Sequence, residues 1–162
     1  MSDLKDYEMT TPTDTTIKVT KKFDAPKEMI WKIWTDPELI PQWWGPRKYK
    51  TVIDKYDLRV GGEWRFLQTD EEGNEFAFHG VFKEIDEPKK VVQTFVFEPM
   101  PDKELTDTLT IEEVDGKTTI TTISQFANKE DRDGMIASGM ESGQKEGFER
   151  TEELIKKLKS GV

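Results

Sequence analysis

The chain has no cysteine and a single histidine, His79. The first absence excludes disulfides, thiolate nucleophiles and thiolate metal sites. The second removes any His–His metal pair and leaves one imidazole as a general base. Neither a metal nor another cofactor is expected. Basic residues are also scarce: 24 Lys and Arg stand against 33 Asp and Glu, for a formal net charge of −9. That balance repels phosphate backbones and anionic lipid, so nucleic acid and membranes are not expected partners. No stretch approaches the ~18 uninterrupted apolar residues of a membrane span, and MSDLKDYEMTTPTDTT at the N-terminus has no apolar signal core. A soluble, cytoplasmic protein is the expectation.

What is present suffices for one core. A chain of 162 residues fits a single domain, and domains near this size bury roughly 68–70% of their unfolded surface. Residues 1–14 are polar, carry Thr10, Thr11 and Pro12 and show no periodicity, so they read as a flexible tail before a domain spanning 15–160. Ile17, Val19, Lys21 and Phe23 alternate on one face of a first strand. Asp24-Ala25-Pro26 offers a capping oxygen and a first-turn proline to a short helix carrying Ile30, Ile33 and Trp34. Thr35 and Glu38 have capping-box spacing for a second brief helix, stopped by Gly45-Pro46.

Between Tyr49 and Phe126 the pattern is a meander of strands at 49–57, 63–70, 75–85, 91–97, 105–114 and 118–126. Its connectors are turn chemistry: Gly61-Gly62, Glu72-Gly73-Asn74, Asp86-Glu87-Pro88 and Asp115-Gly116. Connectors this short imply antiparallel neighbours. From Asn128 to Lys159 one long helix is expected, with Ile136, Met140, Gly143, Gly147, Thr151, Leu154 and Leu158 along a stripe. The fold class is therefore α+β: seven strands in a curved antiparallel sheet, two short helices and a long C-terminal one, in the order β-α-α-β6-α.

Two features are candidates for function. Gly134, Gly139, Gly143 and Gly147 interrupt the long helix, each at a cost of about 1 kcal/mol relative to alanine. Either a thin helix packs flush on bulky aromatics, or a ligand comes too close for side chains. The second feature is the aromatic load of five Trp, nine Phe and three Tyr. Trp64, Phe66 and Gln68 alternate on one strand face, and Phe76, Phe78 and Phe82 on the next. These rings either fill a solid core or line an apolar pocket with a few polar groups. Trp43 and Trp44 lie in a loop, as a pocket lip, a partner anchor or a plug, the last being favoured. His79 falls opposite in parity to Phe78 and so on the solvent side. Asp70-Glu71-Glu72-Gly73-Asn74-Glu75 lacks the ligand spacing of a calcium loop and reads as a hairpin. The serines have no G-x-S-x-G setting, which argues against a serine hydrolase.

Four blocks in order, FDAPKEMIWKIWTDPELIPQWWGP, DLRVGGEWRF, HGVFKEIDEPKKVVQTF and RDGMIASGMESGQKEGFERTEELI, resemble the bacterial proteins similar to the C-terminal domain of the activator of the ninety-kilodalton heat-shock protein ATPase. The resemblance runs from about Ile17 to Leu158. It implies the START-like (SRPBCC), or birch-pollen-allergen-like, helix-grip fold, whose members include lipid and polyketide carriers, cyclases and hormone receptors. Fold alone does not transfer chemistry, and no catalytic set is carried over.

The leading expectation is a cavity between sheet and long helix that binds an apolar small molecule, lipid-like or aromatic. Its contacts would come from Trp43, Trp44, Trp64, Phe66, Phe78, Met135, Met140 and Gly143, with Gln68 or Gln93 orienting a polar end. One alternative is a cochaperone-like role with the heat-shock ATPase as partner. Another is a pocket enzyme of the cyclase type, with a buried carboxylate such as Glu63 or Glu98 as base. A monomer or homodimer is the expected assembly.

Overall fold

The computed structural model describes residues 5–161. Eight strands form one antiparallel sheet: β1 (Tyr7–Thr10), β2 (Thr16–Phe23), β3 (Lys50–Tyr56), β4 (Glu63–Thr69), β5 (Glu75–Asp86), β6 (Lys90–Phe97), β7 (Leu105–Val114) and β8 (Lys117–Gln125). Their spatial order is β1-β2-β8-β7-β6-β5-β4-β3, so the meander is continuous apart from the step that sets β2 beside β8. Register shifts at Ile53/Lys55 and at Phe82/Glu84 break the ladder in the β3–β6 half. Such irregularities bend a strand and deepen a sheet's coil. The sheet is curved, and this is the helix-grip architecture.

Three expectations need correction. The stretch read as a tail contains β1, which pairs with β2 through Tyr7↔Lys21 and Met9↔Val19; residues 1–4 lie outside the described residues. Tyr7 and Met9 pack on the core, but two apolar positions are too short an alternation to read as a strand. The second short helix shrinks to a single 3-10 turn, Ile40–Gln42, with Pro41 inside it. The long C-terminal helix is two helices, α2 (Lys129–Ala137) and α3 (Met140–Lys159). They are separated at Gly139, whose φ of 86° lies in the left-handed region that only glycine enters without strain.

Local signals account for the remaining helix ends. Asn128 caps α2 by accepting the Asp131 N–H at 2.8 Å. The helix α1 (Lys27–Thr35) starts one residue later than expected, with Pro26 as its N-cap residue rather than in its first turn, and its cap comes from outside the segment. The Glu113 carboxylate on β7, rather than Asp24, accepts the Lys27 N–H at 3.0 Å.

The core lies on the concave face. Ile17, Val19 and Phe23 of β2, Ile111 of β7 and Ile120 of β8 meet Ile30 and Ile33 of α1 and Phe148, Leu154 and Ile155 of α3. Lys21, on the same face of β2, is 1% exposed. Its ammonium is satisfied by the Lys22 carbonyl at 2.6 Å and by Glu152 of α3 at 2.8 Å, and lies 4.5 Å from the centre of the Phe23 ring. A buried charge needs such partners, and these tie α3 to the sheet. No described helix is long and apolar enough to cross a membrane.

The glycines of the C-terminal segment separate cleanly. A Cβ at exposed Gly134 meets nothing within 4 Å. Gly134→Ala is expected to stabilise the protein by about 0.5–1 kcal/mol in urea denaturation, because alanine is the better helix former. Gly139→Ala is expected to destabilise it by about 1 kcal/mol or more, because the left-handed backbone there penalises a side chain. Equal effects of the two substitutions would contradict the placement of the break.

Candidate functional site

The Trp43–Pro46 segment follows directly from the 3-10 turn and lies flush against α3. A Cβ at Gly147 would sit 3.1 Å from the Trp43 carbonyl oxygen, and one at Gly143 would sit 3.2 Å from Pro46 Cγ. The thin-helix expectation therefore holds at these two glycines, but the surface they meet is a loop backbone and a proline, not sheet aromatics. Arg150 fixes the same loop by donating to the Gly45 carbonyl at 2.9 Å and the Pro41 carbonyl at 3.2 Å. Trp43 is buried and donates its indole N–H to the Ile33 carbonyl at 2.8 Å. It is a core residue, whereas Trp44 is the ring that plugs the sheet, edge-on to Phe66 and Phe78 with centroids 5.1 Å from each.

Because the loop and α3 rest on one another, α3 cannot sink into the sheet's concavity. A cavity of about 680 Å³ remains between them, within the range of small-molecule sites. The sequence-predicted residues Trp43, Trp44, Trp64, Phe66, Gln68, Phe78, Gln93, Met135, Met140 and Gly143 all line it. Phe82, Phe95, Leu105 and Leu109 extend the apolar wall. Gln68 is occupied elsewhere: its amide nitrogen faces the Trp44 carbonyl at 3.5 Å and Thr51 Oγ1 at 3.4 Å, in the space a side chain on Gly45 would need.

Gln93 has company that the sequence reading did not assign. It lies directly across from Asp107 on β7, which lies across from Ser124 on β8. Cross-strand neighbours sit about 4.5–5.5 Å apart at Cβ, so these form a polar row across a largely apolar concave face, and all three line the cavity. Ser124 Oγ and Asp107 Oδ1 are 2.5 Å apart, with the hydroxyl donating to the carboxylate. Burial pushes the Asp107 carboxyl up to about 6, and the Ser124 hydrogen bond recovers only part of that cost. Its residual exposure is to the cavity it faces. The signal was available: Leu105 and Leu109 share Asp107's parity, which places an acid between two core leucines.

Trp64 and Gln144 also line the cavity, and their Nε1 and Oε1 atoms are buried without a hydrogen-bond partner among the described residues. Tyr56 also lines the cavity, and burial raises its phenol above the ordinary tyrosine range.

The carboxylates proposed as bases lie elsewhere. Glu63 is exposed and paired with Lys55 at 2.9 Å. Glu98 belongs to a polar cluster with Arg65, which grips it at 2.7 and 2.9 Å and reaches Asp54 at 3.1 Å. The guanidinium holds the Glu98 carboxyl down at about 2. His79, exposed as its parity predicts, joins this cluster through Nδ1 at 2.8 Å from Glu98. Neither acid lines the cavity. Among the described residues, no group of three or more His, Cys, Asp or Glu side chains could hold a metal ion.

Solved structures with this fold come from several bacteria. Protein Ms6760 from Mycobacterium smegmatis is 26% identical, superposes with a TM-score of 0.81 and matches 93% of this chain and 98% of its own. A Rhodobacter sphaeroides protein is 22% identical over 92% of this chain and 97% of its own, with a TM-score of 0.86. CalU16 from Micromonospora echinospora shares the fold more loosely, at 21% identity, 82% and 71% coverage and a TM-score of 0.57. No curated protein matches the chain. Residues 24–158, which include the loop, the polar row and both C-terminal helices, match the family described as Activator of Hsp90 ATPase homolog 1-like protein, and the chain belongs to that family.

Proposed function

We propose that this protein binds an apolar small molecule between its curved sheet and α3. The observation that carries the reading is a cavity of about 680 Å³, walled by aromatic and aliphatic side chains and crossed by one row of polar groups. Each ~100 Å² of apolar ligand surface taken from water would contribute roughly 2.5 kcal/mol, and the polar row would fix which way round the ligand lies. The Asp107 carboxylate supports this reading because it is unfavourable for folding: ionised in an apolar cavity, it lowers stability in return for a recognition group. Saturable enhancement of N-phenylnaphthylamine fluorescence is expected at one probe per chain. Thr122→Phe, which projects a ring into the cavity from β8, is expected to weaken the probe at least ~tenfold while the variant stays folded. No uptake, together with an empty protein by native mass spectrometry after gentle purification, would remove the proposal.

A second reading is favoured by Asp107 alone. A carboxyl poised at about 6 on a cavity wall can accept a proton from a bound ligand near neutral pH, a role that neither Glu63 nor Glu98 can fill from outside.

Both readings share a consequence for stability. The folded-state value of Asp107 lies above that of the unfolded chain, so the folded state binds more protons between about pH 4 and pH 6. The contribution of this group is thus most favourable below about pH 4 and is lost as pH rises through about 6. Asp107→Asn is expected to stabilise the ligand-free protein at pH 8 by about 2 kcal/mol, at most ~3, with the gain vanishing near pH 4. Denaturation of both proteins across this range checks it, and a pH-independent difference would show that Asp107 is not the titrating group.

A further inference from the structure

The cavity holds a negative charge with no counter-charge. Among the described residues no basic group lies within ion-pair distance of Asp107, and its one side-chain partner is the neutral Ser124 hydroxyl. Gln93 on β6 and Ser124 on β8 are its cross-strand neighbours, and the cavity lining from the packed elements also includes the uncharged Thr122 of β8, Met135 of α2, and Met140 and Gln144 of α3. The other charged side chains of the lining belong to the mouth. Lys48 is exposed and stacked over Tyr49, and Glu146 accepts the Arg47 N–H at 3.3 Å.

An ionised carboxylate accepting one hydrogen bond has lone pairs to spare. The cavity lining also includes the rings of Trp44, Phe66 and Phe78, whose faces attract cations. An anionic ligand end would meet a like charge in a weakly screening interior, with no cation to offset it.

We infer that the cavity takes an apolar ligand whose buried end is a hydrogen-bond donor, a primary amine above all, and that it discriminates against carboxylates such as those of fatty acids. This rests on the ligand-binding reading above and gives that site its substrate class. The ammonium donates to Asp107, while the hydrocarbon portion occupies the aromatic wall.

The test compares naphthylethylamine, naphthylethanol and naphthylacetate by titration calorimetry at about pH 8, on the full chain and on Asp107→Asn. The amine is expected to bind at least ~tenfold more tightly than the acid, with the alcohol between them. In Asp107→Asn the amine's advantage over the alcohol is expected to shrink to within about threefold. In the unsubstituted protein the same advantage is expected to diminish as pH falls through about 6. If the alcohol binds but the acid matches the amine, or if Asp107→Asn keeps the full preference, the inference is overturned while ligand binding stands. If none of the three binds, the ligand-binding reading fails and this inference with it. The series on the unsubstituted protein alone can overturn it, whatever the folding of the variant.

Discussion

The contact on which everything else depends is the one between the Trp43–Pro46 backbone and α3. Two glycines one helical turn apart let a helix rest on a loop with no helix side chain between them: the positions their Cβ atoms would take lie 3.1 Å from the Trp43 carbonyl oxygen and 3.2 Å from Pro46 Cγ. Two anchors hold the loop: the Trp43 indole on Ile33, and Arg150 on the Gly45 and Pro41 carbonyls. A side chain at either glycine would crowd the loop, which would have to give by a few tenths of an ångström to admit it. The loop and α3 together line the cavity. The cost of two interior glycines is therefore tied to keeping a cavity open rather than to filling a core.

At its other end α3 is held differently. The buried Lys21 reaches from β2 to Glu152, and Phe148 packs edge-on to Phe23 with centroids 5.8 Å apart. The two anchorages divide the concave face. Toward β2, residues of α1 and the C-terminal half of α3 join the buried core. Under the first turns of α3 lies the cavity, lined by strands from β4 across to β8. The rings alternating on the strands belong to both regions, which is why the sequence could not choose between solid core and pocket: Trp64 is 1% exposed and yet lines the cavity.

Much of the architecture was legible because strand parity and turn chemistry are local. Asp115-Gly116 joins β7 to β8 where expected, and β7 occupies Leu105–Val114 as read. His79 points outward because Phe78 points in. What was missed is what locality does not encode. Gly139 looks like Gly143 and Gly147 in the sequence, yet only it adopts a positive φ, because α2 turns away to cover the cavity. β1 has four residues and acquires its structure by pairing with β2. Asp107 was passed over among threonines although parity put it indoors. The polar row exists only once β6, β7 and β8 are aligned side by side.

That row has one further consequence. Gln93, Asp107 and Ser124 are spaced by the hydrogen-bonded ladder of three adjacent strands; Phe95, Leu105, Leu109 and Thr122 of the same strands flank them, and the rest of the wall comes from the loop, α2, α3 and the rings of β4 and β5. Much of the contour is thus written on parts of the molecule other than those that carry the polar row. A bulkier or smaller wall residue can recut the chamber without shifting the polar axis, and an exchange on that axis can alter the chemistry admitted without remodelling the chamber. Such a scaffold can diversify along two independent coordinates while its backbone stays the same.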